Sequence, residues 1–391
     1  MRDFLNEKLN ELEQSNLKRE LRLLEGAQSR EIVINGKRVL NFCSNDYLGL
    51  AGNLQLIQAA KESLDKEGFG SGASRLVCGN MSAHQQLEKK MAEFKKTERC
   101  CLFSCGYMAN VGIISSIFTR EDIIFSDKLN HASIVDGIAL SRAKYKRYPH
   151  KDMDALEQML KAAKDFRKKG IITDSVFSMD GDVAPLKEIV TLAKKYQCLV
   201  MVDEAHALGV IGQDGRGLVS HLGLEEDIDI QMGTFSKAVG SYGAYCCGSK
   251  SLVEYLINKA RSFIYTTGLP PAICAASLKG IEIIESDYQR RQQLWDNTYF
   301  VRGELTSAGF NTLYSQTPIL PILLKDSALA VEFSNRLFEE GIFVSAIRPP
   351  TVPTNSARLR LTLMATHSVK DVEYLVRKIK EIGKYLKVIH N

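Results

Sequence analysis

Apolar positions recur along the chain with two different periods. Residues 3–24 place Leu5, Leu9, Leu12 and Leu17 among charges at helical spacing, and 31–42 alternates around Asn35-Gly36, the pattern of a β-hairpin. From residue 83 onward, short apolar runs alternate with amphipathic stretches. The runs at 99–104, 122–126, 144–148, 169–174, 198–203, 228–233 and 243–248 predict strands, and the stretches at 83–94, 107–117, 153–164 and 186–195 predict helices. This alternation predicts an α/β fold with a mostly parallel sheet between helix layers. Beyond residue 270 the pattern changes: 317–324 reads as a strand with edge prolines, 327–339 as a helix and 358–363 as a strand. The expected organisation is an N-terminal arm at 1–45, a large domain at 46–269 and a smaller α/β domain at 270–391.

Composition narrows the class. With 45% hydrophobic and 25% charged residues, and no run long enough to span a bilayer, the sequence reads as a soluble globular protein without a membrane partner. The net charge of +5 is spread along the chain and makes no electrostatic case for nucleic acid; the basic stretch 161–169 reads as a solvated helix face. Nine cysteines at irregular spacing, without CxxC, fit reduced thiols, and the charged, helix-prone start is not a signal peptide, so a cytoplasmic location is expected. The histidines show no metal-ligand spacing and no metal is expected.

Chemistry gathers where the apolar runs stop. In an open parallel sheet ligands bind beyond the carboxyl ends of the strands. Ser104 and Gly106, Asp127 to His131, Ser178 to Asp182, Asp203 to His206 and Thr234 to Lys237 all follow predicted strands. Lys237 stands with Thr234 and Ser236 inside an otherwise apolar segment, an unusual place for a hydrated ammonium. It is either a surface loop lysine or an amine that forms a Schiff base with a carbonyl cofactor whose phosphate the hydroxyls receive. Asp203 ends the apolar run Val200-Met201-Val202; it either caps the next helix or pairs with a protonated ring nitrogen of the cofactor. Gly106-Tyr107 opens a helix after a strand and offers backbone N–H groups to a phosphate. His131 is either structural or lies flat on a cofactor ring, and His206, three residues after Asp203, reaches a cofactor oxygen. Arg360 alternates with apolar neighbours, so its guanidinium makes either a surface ion pair or a bidentate carboxylate site.

Asp203-Glu204-Ala205-His206, Thr234-Phe235-Ser236-Lys237, His131 and Ser178-Met179-Asp180-Gly181 together resemble the α-oxoamine synthase family of fold-type I pyridoxal 5'-phosphate (PLP) enzymes. The resemblance covers nearly the whole chain. It implies a PLP-dependent acyltransferase of the transferase class, a homodimer with sites at the subunit interface, that condenses a small amino acid with an acyl thioester and releases carbon dioxide. By resemblance Lys237 carries the cofactor and acts as base, Asp203 pairs with its ring nitrogen, His131 stacks on the ring, and His206 and Ser178 hydrogen-bond to it. Gly106, Tyr107 and Thr234 hold its phosphate end.

Further stretches bear on the substrate. Gly70 to Val77, Ser178 to Leu186, and Ala346-Ile347-Arg348-Pro349-Pro350-Thr351-Val352-Pro353 followed by Ala357 to Arg360 are similar to the branch of the family that serves biotin biosynthesis. That branch implies L-alanine and a pimeloyl thioester as substrates, with Arg360 on the amino-acid carboxylate, Asn45, His131 and Thr351 near substrate, and Arg19 on the far carboxylate. Arg22 is a rival for the last role. Ala207-Leu208-Gly209 departs from the Gly-Thr-Gly more usual in that branch, which leaves glycine C-acetyltransferase as the alternative. A non-catalytic partner subunit is a further alternative; such a chain should lack Lys237 or Asp203, and both are present.

Overall fold

The computed structural model describes residues 2–15 and 17–390. The chain divides into two compact units, one of Leu50–Ser178 and Val183–Arg291, the other of Met1–Gly49, Met179–Asp182 and Gln292–Asn391.

In the first of these, apolar runs pair into a seven-stranded sheet in the order Arg99–Phe103, Ala244–Gly248, Ile230–Thr234, Leu199–Asp203, Lys169–Asp174, Ile123–Asp127, Lys144–Tyr148. The last five are mutually parallel, and Ala244–Gly248 runs antiparallel to both its neighbours. The parallel run is the architecture expected when each strand is separated from the next by a helical crossover. One face of the sheet buries Cys101, Met201, Ile230, Met232 and Cys246 against Ile113, Ile114 and Ile117 of helix Gly106–Ile117 and Ile134 and Ile138 of helix Ala132–Ser141. Each such aliphatic side chain contributes about 1.5–3 kcal/mol on full burial. The consequence for function lies at the strand ends: four of the parallel strands finish on Asp127, Asp174, Asp203 and Thr234.

The second unit has its own sheets. Glu31–Ile34 and Lys37–Asn41 form the predicted hairpin, with Asn35 and Gly36 both at positive φ (49° and 77°) as a two-residue turn matched to strand twist requires. Leu24–Glu25 extends it on one side and Ile342–Phe343 on the other, the latter in parallel. A three-stranded antiparallel sheet has Ala357–Thr362 at its centre, Ser345–Ile347 on one edge and Ile319–Lys325 on the other, so Pro321 sits on an edge strand. Helix Ser327–Glu339 follows, its first turn closed by Asp326 accepting from Leu329 N–H at 2.7 Å.

One element is shorter than expected. The helical spacing over 3–24 gives a helix only over Arg2–Gln14; Leu17 and Lys18 both donate backbone N–H groups to the Leu12 carbonyl, and the chain is then irregular as far as Leu24–Glu25. The stripe of Leu5, Leu9 and Leu12 on that helix is exposed.

Candidate active site

The loop that carries Lys237 is shaped by its neighbours. Phe235, Ala238 and Val239 are buried anchors, whereas Lys237 is half-buried. Thr234 donates its hydroxyl proton to the Gly243 carbonyl (2.7 Å), which makes Ser236 the donor in their 2.8 Å hydroxyl pair; the Ser236 N–H also reaches Thr234 Oγ1 at 3.2 Å. The loop closes at Gly240, whose φ of +69° and whose absent Cβ, which would lie 2.4 Å from Ala51 N, both require glycine.

Asp203 is buried, and its hydrogen-bond partners are uncharged: Asn110 Nδ2 donates to Oδ2 at 2.8 Å and Ala205 N–H to Oδ1 at 2.9 Å. A buried carboxylate held only by neutral donors suits a cationic ring nitrogen. Its neighbour in the sheet is Asp174, the register partner on the adjacent parallel strand. Burial, reinforced by the Asp203 charge, pushes the Asp174 carboxyl well above the usual carboxylate range. Asp174 Oδ2 accepts the backbone N–H of His131 at 2.7 Å, and its own N–H donates to Asn130 Oδ1 at 3.0 Å.

His131 caps helix Ala132–Ser141: its Nδ1 lies 2.7 Å from Ser133 Oγ and accepts Ser133 N–H at 3.2 Å, while Asn110 Nδ2 donates to Ser133 Oγ at 2.8 Å. Desolvation lowers the imidazole pKa, with the Asp203 and Asp136 charges opposing the shift and Lys237 adding to it. Gly106 opens helix Gly106–Ile117 directly after strand Arg99–Phe103, and a Cβ there would come within 3.9 Å of Thr234 Cβ. This brings two of the residues expected at a phosphate together beside a helix N-terminus. Tyr107 is half-exposed and donates to Asp136 Oδ2 at 2.6 Å. His206 is buried beyond Asp203 and Ser178 is half-buried after strand Lys169–Asp174. Between Asp203 and His206, Glu204 makes a fully buried ion pair with Lys95 and accepts Val219 N–H at 2.9 Å, which pins the turn that orients both neighbours. Ala207 and Leu208 are buried and donate to the Glu204 carbonyl.

Of the substrate residues expected from the sequence, His131 lies in the first unit, and Arg19, Asn45, Thr351 and Arg360 lie in the other, as two pairs. Arg360 is buried and donates to Asn45 Oδ1 (3.1 Å) and Thr362 Oγ1 (2.9 Å), with the Tyr47 hydroxyl as a further partner. Two positions earlier on the strand, Arg358 is paired with Asp180, and burial lowers it to about 10. Gly181, at φ +71°, then lets Thr317 donate to its carbonyl at 2.8 Å. Arg19 donates to Thr351 Oγ1 at 3.0 Å, while Arg22 stacks over Phe338 and Phe343, 5.0 and 5.2 Å from their centroids. Arg19, Arg22 and Arg348 line an open cavity of about 930 Å³ with Phe338 and Phe343.

Sequence reasoning missed Asn110, Ser133, Asp174 and Tyr47. Asp174 had a signal, since it ends a predicted parallel strand. Asn110 lies four residues after Gly106 on one helix face, but that spacing is common to every helix.

The donor set of buried carboxylate, half-buried lysine, capped histidine and hydroxyl loop fits a phosphorylated pyridine aldehyde. Aminotransferase class I and II matches residues 37–379, and the chain belongs to this family, the fold-type I PLP-dependent transferases. Among solved structures it is similar to serine palmitoyltransferase from S. paucimobilis with bound PLP–myriocin aldimine (TM-score 0.94, 32% identity, 99% of this chain and 98% of that one). In sequence it is similar to 8-amino-7-oxononanoate synthase of Thermoanaerobacter pseudethanolicus, 46% identical over 99% of this chain and 98% of the relative. The 8-amino-7-oxononanoate synthase of Citrifermentans bemidjiense is 49% identical over 98% and 99%.

Proposed function

We propose that the protein condenses L-alanine with a pimeloyl thioester, releasing carbon dioxide and the free thiol and forming 8-amino-7-oxononanoate. The observation that carries this is identity of 46–49% over nearly the full length to proteins named for that product. Lys237 would hold PLP until the amino acid displaces its amine, and PLP joined to the amino acid would supply an electron sink for charge that develops on the α-carbon. Asp203 keeps the ring nitrogen protonated through its charge, and Asn110 and Ala205 N–H hold the carboxylate in place. The Lys237 amine removes the α-proton as general base and later returns a proton to the same carbon. His131 would stack on the ring, His206 and Ser178 would hydrogen-bond to it, and Gly106, Tyr107 and Thr234 would hold its phosphate end. Arg360, steadied by Asn45 and Tyr47, receives the amino-acid carboxylate. Arg19 with Thr351 receives the far carboxylate of the acyl chain, whereas Arg22 is engaged with two phenyl rings. Burial of Ala207 and Leu208 supports reading that departure as packing, not as a change of acyl group.

The working form is a homodimer in the cytoplasm. The exposed Leu5, Leu9 and Leu12 stripe supports association, and among the described residues no helix is long and apolar enough to cross a membrane. The test is a direct comparison by product mass of the holoenzyme with L-alanine plus pimeloyl-CoA, L-alanine plus pimeloyl carrier protein, and glycine plus acetyl-CoA. Turnover in either pimeloyl arm supports the reading; turnover only with glycine and acetyl-CoA overturns it.

A further inference from the structure

We propose that Asn110 and Ser133 are positioning residues that fix the tautomer of His131, so that its ring presents Nε2–H to the ligand as a hydrogen-bond donor. This deepens the reading above and rests on it for the ligand's identity, though not for the tautomer.

The direction of every hydrogen bond in the chain follows from Asp203. A carboxylate only accepts, so the Asn110 atom 2.8 Å from Oδ2 is the amide nitrogen. The same nitrogen lies 2.8 Å from Ser133 Oγ, which places its second hydrogen there. Turning the amide over would set its oxygen against the carboxylate. The observed orientation is kept even though it leaves the buried Asn110 Oδ1 without a partner among the described residues. Ser133 Oγ accepts from Asn110 and lies 2.7 Å from His131 Nδ1; because the Ser133 N–H already donates to that nitrogen, the hydroxyl meets an acceptor there and directs its own proton at it. Backbone N–H of Ser133 converges on the same nitrogen at 3.2 Å, and an N–H only donates. With two donors aimed at it, Nδ1 is unprotonated and the ring proton resides on Nε2. Asp174, holding the His131 N–H at 2.7 Å, fixes the backbone from which the ring projects.

Two other histidines provide internal controls. His84 Nδ1 accepts Met81 N–H at 3.2 Å and His367 Nδ1 accepts Met364 N–H at 3.0 Å, the same device as at His131. Their Nε2–H groups go to the carbonyls of Leu269 (2.8 Å) and Asn41 (3.1 Å). Among the described residues no acceptor lies within hydrogen-bonding distance of His131 Nε2. The charged groups that act on this ring are Asp203, Asp136 and Lys237, with Asp174 at its backbone. An imidazole whose Nδ1 is already filled by donors is a neutral donor at Nε2 and not a base.

The test is ring ¹⁵N–¹H correlation on holoenzyme labelled at histidine, without substrate, with the His131 signals assigned by their loss in His131→Asn. The expected result is an unprotonated Nδ1 and a protonated Nε2 for His131, matching His84 and His367. A protonated Nδ1, or an equal mixture, overturns the proposal and leaves the substrate assay untouched. Ser133→Ala breaks the chain: kcat is expected to fall about tenfold, the effect of one hydrogen bond, with KM for alanine within about twofold. His131 Nδ1 should gain partial protonation in that variant, and Ser133→Thr should restore both readouts. Parental ring shifts and kcat in Ser133→Ala would equally overturn the relay; the parent's own spectrum decides the tautomer should a variant not fold.

Discussion

His367 and His131 lie in different compact units and begin from the same local device, an Nδ1 that accepts a nearby backbone N–H. They diverge at the other nitrogen. His367 gives Nε2–H to the Asn41 carbonyl and stacks on Phe42 with centroids 4.0 Å apart, so both of its nitrogens and its face are committed to the fold. His131 has its Nδ1 filled through Ser133 and Asn110, and among the described residues its Nε2 meets no acceptor. Chemically identical side chains thus differ in how far the fold commits them, according to what their second polar atom meets. The same division separates Arg358, paired with Asp180, from Arg360, set among the side chains of Asn45, Tyr47 and Thr362. It also separates Arg22 on its phenyl rings from Arg19 beside Thr351.

Exchange of the histidines gives the sharpest contrast. His367→Phe leaves the Asn41 carbonyl and Met364 N–H without partners in a buried site, and a loss of about 4 kcal/mol in urea unfolding is expected with kcat unchanged. His131→Phe removes a helix cap, so a loss of only about 1 kcal/mol is expected in urea unfolding, with kcat lower by about a hundredfold. Loss of stability without loss of kcat at His131 would erase the distinction.

A pH titration weighs most heavily on the structural member, whose shift is the one of known size. Burial lowers His367 to about 4, against about 6.5 when unfolded. Between those values the unfolded chain binds a proton that the folded chain refuses, so stability rises with pH across that window. The contribution is complete above pH 6.5 and is lost as pH falls toward 4, about 3 kcal/mol in all. Chemical unfolding at several pH values should show a steeper slope in the parent than in His367→Phe, where the lowered His84 and His131 still contribute in the same direction.

Smaller effects are expected from the arginines. Arg360→Lys removes a planar fork and should raise KM for alanine about tenfold, while Arg358→Lys shifts the unfolding midpoint instead. Arg19→Ala should raise KM for the pimeloyl donor about fivefold, roughly 1 kcal/mol, with Arg22→Ala near parental values. Reversal of that last pair would move the far-carboxylate site to Arg22.

Much of this arrangement was legible in the sequence where a single local pattern carried it. Apolar runs that stop at Asp203 and Thr234 marked strand ends, and Asn35-Gly36 marked a turn because few other pairs accept positive φ twice. Long-range pairing had no such mark: nothing near the hairpin announces Ile342–Phe343 as its neighbour, three hundred or so positions away. Asn110 and Ser133 are ordinary polar residues until two helices bring them between Asp203 and His131. Arg19 and Arg22 could not be ranked by spacing because the helix predicted through both ends at Gln14, so they lie on irregular chain where helical periodicity no longer sets their directions.

Lys237 is the lysine proposed to hold the cofactor, and borohydride reduction of the holoenzyme followed by peptide mapping tests this most directly. A single pyridoxyl group on the peptide containing Lys237 is the predicted result. A pyridoxyl group on another lysine, or none on this peptide with the enzyme fully active, would contradict it.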